Sequence, residues 1–361
     1  MTDKATTTVL VSGDDFVAPE LFADALREGA PDRDLAFRTL RTHWPVEPFG
    51  PVGGVQEASG TEEQVIEALG DAEIALTQMA PFTRKVFEAA PNLKMIGVCR
   101  GGPVNVDLKA ATEHGVRVSF APGRNAAAAA EFAVGLMLAA MRRIPAADAD
   151  LKKNVWRGDF YAYENAGIEL EGATVGLVGY GAIGARVARV LNAFGARVLV
   201  HDPYTDKAKA EADGVELTEL DDLLSRSRVI SLHARLTPET KHLLNAENLK
   251  LVPHGTVLVN SARGGLLDYA PLPALLESGQ LGALAVDVYD VEPPPADWPL
   301  HSAPNVLTTP HLGGATQQTA ERAAAISAGE AARHLRGEPL NHLANPEVLA
   351  GTEAPEEAAE S

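Results

Sequence analysis

Cysteine is nearly absent. Cys99 is the only one in 361 residues, which excludes an internal disulfide and fits a reducing compartment. Long hydrophobic runs are missing as well: no stretch reaches the roughly 18 apolar residues that span a bilayer. The nearest, the alanine-rich segment from Ala126 to Met141, is interrupted by Glu131. The opening MTDKATTTVLVSG lacks the basic, apolar, small order of a signal peptide and runs directly into a strand. A cytoplasmic protein with no membrane partner is therefore expected. Positive charge is scarce, with 31 basic against 49 acidic side chains and a net charge of −18. That balance disfavours unaided binding to nucleic acid or anionic membranes. No internal repeat is found.

What is present reads as globular: 46% hydrophobic and 22% charged residues, in a chain long enough for two domains. The segment Thr174–Asp202, TVGLVGYGAIGARVARVLNAFGARVLVHD, organises the rest. Val175, Leu177 and Val178 form a short β-branched run suited to a buried strand. Gly179, Gly181 and Gly184 follow with G-x-G-x-x-G spacing. The first glycine allows a tight turn, the second lets a pyrophosphate approach the backbone, and the third lets the helix pack on the strand. Ile183, Val187, Val190, Leu191 and Phe194 recur at helical spacing up to the C-cap glycine Gly195. The next strand delivers Asp202, 18 residues beyond Gly184, where an acid meets the adenosine ribose diol. Alone the triplet is weak, but between two strands and with the acid in place it indicates dinucleotide binding.

From Thr6 to Phe120, the runs VLVS, LAFRTL, EIALT, LKMIGV and VRVSF alternate with helical patterns at Pro19–Glu28, Thr61–Leu69, Arg84–Ala90 and Leu108–His114. Such alternation predicts parallel strands with helices on both faces. After a break at Ala121-Pro122-Gly123, a long helix from Asn125 to Arg142 is expected, with Asn125 as N-cap. Its continuous apolar face suits a core or a subunit interface. Beyond Asp202, RVISLHA, GTVLVN, GALAVDV and NVLTT continue the dinucleotide sheet. A second long helix, Ala315–Arg336, is followed by NHLANPEVL, which is expected to return to the first domain. The tail GTEAPEEAAES has almost nothing to bury and is expected to be disordered.

Three polar residues at strand ends lie outside ordinary packing needs: Arg263 in NSARGG, Glu292 in DVYDVEPP and His311 in TTPHLGG. Ligands of open α/β sheets bind at the carboxyl ends of the strands. Hydride transfer to a 2-keto acid needs a cation for the carboxylate, a proton donor for the developing alkoxide, and a group that sets the donor's pKa. Arginine offers a bidentate fork, histidine titrates near neutrality, and a carboxylate beside it favours its charged form. Each residue alone has a duller explanation as a surface, structural or turn residue; their joint placement after the fingerprint is what carries weight.

VGYGAIG with His201-Asp202-Pro203, SLHARLTPET, NSARGGLLD, AVDVYDVEP and TTPHLGGAT, in this order, resemble the D-isomer-specific 2-hydroxyacid dehydrogenase family, most clearly from Leu93 to Pro346. The resemblance implies an α/β fold of two doubly wound parallel-sheet domains. A Rossmann NAD-binding domain, 122–314, would be inserted in a flavodoxin-like substrate domain made of 1–121 and 315–350, with a disordered tail at 351–361. It implies Arg263, Glu292 and His311 as the catalytic trio, with Arg263 on the keto acid, His311 as general acid/base and Glu292 as its partner. Gly179, Gly181, Ala182, Ile183, Gly184, Asp202, His233, Ser261, Ala262, Arg263, Asp287, His311 and Gly313 would contact NAD, Asp287 at the nicotinamide carboxamide. Gly101 and Gly102, in the loop CRGGPVNVD, would hold the substrate carboxylate with Arg263 and His311. Arg100 either adds a cation there, which with Tyr161 and Tyr163 suggests a polar or anionic substrate such as a sugar acid, or points to solvent. Arg235 stands where the family commonly has proline. A homodimer through the Asn125–Arg142 helix is expected, and no metal. The alternatives are a cofactor-sensing regulator resembling corepressors of the C-terminal-binding type, and a phosphite- or formate-type dehydrogenase.

Overall fold

The computed structural model of the chain describes residues 6–44 and 49–350; the tail 351–361 lies outside the described residues. Two compact units emerge, Met1–Asn125 with Ala315–Ser361, and Ala126–Gly314. The first crossing falls after Asn125, because residues 122–125 still pack with the first unit: Arg322 donates from Nη1 to the Arg124 carbonyl at 2.7 Å.

In the first unit β1 (Thr7–Gly13), helix α1 (Pro19–Gly29) and β2 (Leu35–Arg41) are followed by a hairpin, β3 (Gly50–Val52) and β4 (Val55–Ala58). Then come α2 (Glu62–Leu69), β5 (Ile74–Thr77), α3 (Arg84–Ala89), β6 (Met95–Val98), α4 (Leu108–Glu113) and β7 (Arg117–Ser119). The sheet order is β2-β1-β5-β6-β7, all parallel. With the hairpin set aside this is the doubly wound order 2-1-3-4-5. β5 and β6 are buried at every residue, as strands covered on both faces must be. α2 starts at a capping box in which Thr61 and Gln64 satisfy each other's backbone N–H groups.

The second unit opens with α5 (Ala126–Met141), directly after Asn125, and α6 (Ile144–Lys152). β8 (Thr174–Val178), α7 (Gly184–Ala193), β9 (Arg197–His201), α8 (Lys207–Ala212), β10 (Glu216–Leu217), α9 (Leu220–Arg226) and β11 (Val229–Leu232) follow. β12 (Thr256–Asn260), α10 (Leu272–Glu277), β13 (Leu281–Val286) and β14 (Val306–Thr308) complete it. Seven parallel strands run in the order β10-β9-β8-β11-β12-β13-β14, which reverses direction between β8 and β11. α5 is apolar all round and behaves as such a helix should, as core. Ala130, Ala133, Val134, Met137 and Ala140 pack into one cluster with β8, β9 and α7, and only Glu131 and Gly135 of the helix are exposed. Against the expectation of a subunit interface on this helix, most of its surface is taken up by its own unit, and Phe132, Leu138 and Ala139 stay partly exposed.

The chain then returns to the first unit. α11 (Gln317–Leu335) lays Ala320, Ala324, Ala328 and Ala331 against α1 and the sheet. Leu343 bridges to Ser119 of β7. Asn345, 2% exposed, accepts from Val118 N–H and donates to Val116 O and Thr112 Oγ1. No helix among the described residues is long and apolar enough to cross a membrane.

Candidate active site

The three fingerprint glycines occupy three different environments. A Cβ on Gly179, which sits at φ 100°, would lie 2.5 Å from Ala234 N; one on Gly184 would lie 2.3 Å from the Gly179 carbonyl oxygen. Gly181 has nothing within 4 Å. The first and third are therefore demanded by packing, while the second leaves open space beside the backbone, as an approaching pyrophosphate requires. The amides of Gly181, Ala182 and Ile183 have no hydrogen-bond partner among the described residues, and they precede the N-terminus of α7, an anion-favouring position. Asp202, at the end of β9, accepts from Tyr180 N–H at 2.6 Å and from Tyr204 N–H at 2.8 Å. Its carboxylate is thus anchored to the fingerprint turn with lone pairs to spare for a diol. His233 lies against Gly184 and hydrogen-bonds Ser231 Oγ at 3.0 Å. Burial pushes its pKa down to about 4, so it is neutral near pH 7.

At the carboxyl ends of β12, β13 and β14 the unit assembles the catalytic candidates. His311 Nδ1 is 2.8 Å from Glu292 Oε2, and Glu292 Oε1 accepts from Tyr289 N–H at 3.1 Å. The hydrogen bond to Glu292 raises the His311 pKa above its ordinary value, against burial; the charges of Glu292 and Asp287 add to the rise and Arg263 opposes it. Burial works against ionisation of Glu292, but the bond from His311 and the charges of His311 and Arg263 leave its carboxyl below the usual range. Arg263 is exposed, and among the described residues its guanidinium makes one hydrogen bond, to the neighbouring Ala262 carbonyl at 2.6 Å. Its Nε and Nη2 carry no hydrogen bond among the described residues, which leaves that edge of the guanidinium for a ligand.

Asp287, 1% exposed, accepts from Thr309 Oγ1 (2.6 Å), Leu312 N–H (2.7 Å) and Gly313 N–H (2.8 Å). These bonds hold the turn in which His311 adopts a left-handed φ of 55°. Sequence reasoning does not single out Asn260, although it begins the NSARGG motif. Fully buried, it accepts from Ala262 N–H at 3.1 Å and donates to the Arg263 carbonyl at 3.0 Å, bracing the loop that presents Arg263. Tyr269, whose hydroxyl donates to Val288 O at 2.7 Å, and Trp298, in ring contact with Tyr269 and Tyr289, support the loops from below. Gly264 locks the arrangement: its Cβ would fall 2.0 Å from the Tyr289 carbonyl oxygen. The Arg263 loop and the loop leading to Glu292 therefore touch backbone to backbone.

In the first unit the amides of Gly101 and Gly102 have no partner among the described residues, and a Cβ at either position would meet nothing within 4 Å. Arg100 departs from both readings of it. Its side chain is 16% exposed and forms an ion pair with Glu57, so it neither points to solvent nor offers a free cation. Tyr161 and Tyr163, 93% and 97% exposed, belong to the second unit, in the segment after α6. Among the described residues no group of His, Cys, Asp and Glu is arranged to hold a metal ion.

Residues 134–313 match the family model for the NAD binding domain of D-isomer specific 2-hydroxyacid dehydrogenase. D-3-phosphoglycerate dehydrogenase of Methanocaldococcus jannaschii is 40% identical over 297 residues, 81% of this chain and 56% of the relative. Glyoxylate reductase of Korarchaeum cryptofilum is 35% identical over 81% of this chain and 89% of the relative. Among solved structures, the TT0316 protein from Thermus thermophilus superposes with a TM-score of 0.76 and 31% identity, covering 94% of this chain and all of that one. The chain spans little more than half the length of the phosphoglycerate dehydrogenases it matches.

Proposed function

The chain belongs to the D-isomer-specific 2-hydroxyacid dehydrogenase family, and from that premise we propose that it is an NAD-dependent oxidoreductase acting at C2 of a small 2-hydroxy or 2-keto acid. The observation that carries this reading is the His311–Glu292 bond together with an Arg263 guanidinium whose Nε and Nη2 are unbonded among the described residues, at the carboxyl ends of a dinucleotide-type sheet. The open face of Gly181 and the unpartnered amides of Gly181–Ile183 fit the pyrophosphate of NAD, and Asp202 fits its ribose diol. Bound nicotinamide supplies the hydride acceptor or donor. Arg263 binds the carboxylate and orients the carbonyl. His311, protonated on Nε2 and held by Glu292 through Nδ1, gives its proton to the developing alkoxide during reduction and takes it back during oxidation. Gly101 and Gly102 hold a carboxylate oxygen by their free amides in the first unit, which serves as the substrate domain, and the second unit as the NAD domain.

A panel of 2-keto acids followed by NADH absorbance tests this. Turnover of at least one is expected, with kcat/KM for NADH well above that for NADPH, because Asp202 repels a 2′-phosphate. Cofactor binding without turnover would favour the regulator; turnover of phosphite or formate alone would favour the inorganic or one-carbon reading. Comparable values for both cofactors would remove the role given to Asp202.

We further infer that subunit association, as a homodimer, uses the segment after α6. Trp156 is 82% exposed and stands with Tyr161 beside a concavity of about 470 Å³. Arg157 fixes this segment through Asp150 and Asp159, at 2.7 Å each, while lying over the Phe160 ring. Ordered, exposed aromatics of this kind mark association surfaces. Light scattering should give a dimer that Trp156→Glu with Tyr161→Glu converts to monomer; a wild-type monomer at micromolar concentration rejects the assignment.

A further inference from the structure

The hairpin β3–β4, exposed along most of its length, is joined to the loop 99–107. Its two-residue turn, Gly53-Gly54, has φ values of 53° and 94°, as a tight antiparallel hairpin requires. A Cβ on Gly53 would meet Glu62 Oε1 at 2.5 Å and Thr83 Cγ2 at 2.7 Å, so the turn is wedged against α2 and the start of α3. Gln56 N–H donates to the Val104 carbonyl at 2.9 Å, which joins β4 to the loop. Glu57 follows, with a left-handed φ of 47°. Its carboxylate pairs with Arg100 Nη2, and its carbonyl accepts from Arg100 Nη1 at 3.2 Å. The Arg100 guanidinium is thus held by both the carbonyl and the carboxylate of Glu57, whose own side chain stays 56% exposed.

Arg100 immediately precedes the unpartnered amides of Gly101 and Gly102. A largely desolvated guanidinium there would hold any second anionic group of a ligand, such as a phosphate ester, through a charge-assisted fork. Glu57 already occupies it. Arg124, a half-buried guanidinium near Arg100, makes no ion pair with the buried Asp14 among the described residues, and its Nη1 has no hydrogen-bond partner there; the ion pair that neutralises a cation of this loop is the one between Arg100 and Glu57.

We propose that Glu57 determines charge specificity: by neutralising Arg100 it adapts the loop to singly charged 2-keto acids and disfavours those with a second anionic group. A phosphate brought to this loop meets the Glu57 carboxylate, and like-charge juxtaposition is how binding sites reject wrong partners. This inference rests on the reading of the loop as the carboxylate site and names the substrate class within it. The expected preference is for an unphosphorylated acid, although a D-3-phosphoglycerate dehydrogenase is 40% identical to this chain.

The test compares hydroxypyruvate with its 3-phosphate in the wild type, Glu57→Gln and Glu57→Asn; asparagine tolerates a positive φ and withdraws the side chain. The wild type should favour hydroxypyruvate in kcat/KM. Both variants should raise the ratio of phosphorylated to unphosphorylated kcat/KM by about tenfold or more, the scale of one added charge-assisted contact. Inorganic phosphate should raise the melting temperature of both variants more than that of the wild type, a readout independent of turnover. A wild type that prefers the phosphate ester overturns the proposal, and so does an unchanged ratio with an unchanged phosphate response. If no keto acid is turned over by any form, the enzymatic reading fails, while the phosphate response of the variants still decides the role of Glu57.

Discussion

His311 is held twice, by Glu292 through its ring and by Asp287 through the amides of the turn after it. The first contact has a consequence of definite sign. Reduction needs the protonated ring and oxidation the neutral one, so a raised pKa carries reduction to higher pH and delays the onset of oxidation. Glu292→Gln keeps the shape and removes the charge, and the His311 pKa must fall. Both limbs should then move to lower pH: reduction fails earlier as pH rises, and oxidation persists further into acid. Profiles of kcat/KM in both directions check this, and limbs that stay in place or move up rule out the pairing. His311→Ala should cost about 10²- to 10⁴-fold in kcat/KM, the usual worth of a general acid, with NADH affinity nearly kept. Arg263, Glu292 and His311 are legible in the sequence because they are chemically out of place at strand ends. Asn260 and Glu57 are not, because each acts through partners that folding brings to it, and nothing local announces the role.

At the scale of elements, the loops after β12 and β13 behave as one piece because Gly264 rests on the Tyr289–Asp290 peptide. Gly264→Ala forces two backbones apart. The expected destabilisation is about 1–3 kcal/mol, as for other overpacking, and a displacement of the Arg263 fork by about 1 Å would cost on the order of 10²-fold in kcat/KM. A melting curve and steady-state kinetics measure both; a variant with native activity shows that the loops are not coupled. The buried strands β5, β6, β8 and β11 are readable as continuous apolar runs. The hairpin β3–β4 lacks alternation and carries glycines and a proline, so it reads as loop. α6 buries no residue and has no apolar stripe for periodicity to find. α5 is plain as a helix, but uniform apolarity does not say whether a helix meets its own sheet or a second chain.

At the scale of the whole molecule, the net charge of −18 is a self-repulsion that salt relieves. Between about 0.01 M and 1 M sodium chloride the screening length falls from roughly 30 Å to roughly 3 Å. The melting temperature should rise over that range; a flat or falling trend would mean that specific ion pairs outweigh the net charge. The division of the first unit into two chain segments has a consequence in time. During synthesis its leading segment leaves the ribosome with Phe22, Leu26, Ile74 and Met95 turned toward a face that α11 later covers. The whole of Ala126–Gly314 must be made before that helix exists. At about 5–20 residues per second the nascent chain carries this apolar face uncovered for tens of seconds. The second unit, continuous in sequence, is free to fold in that interval, so the leading segment of the first unit is made before the second unit but is closed only after it.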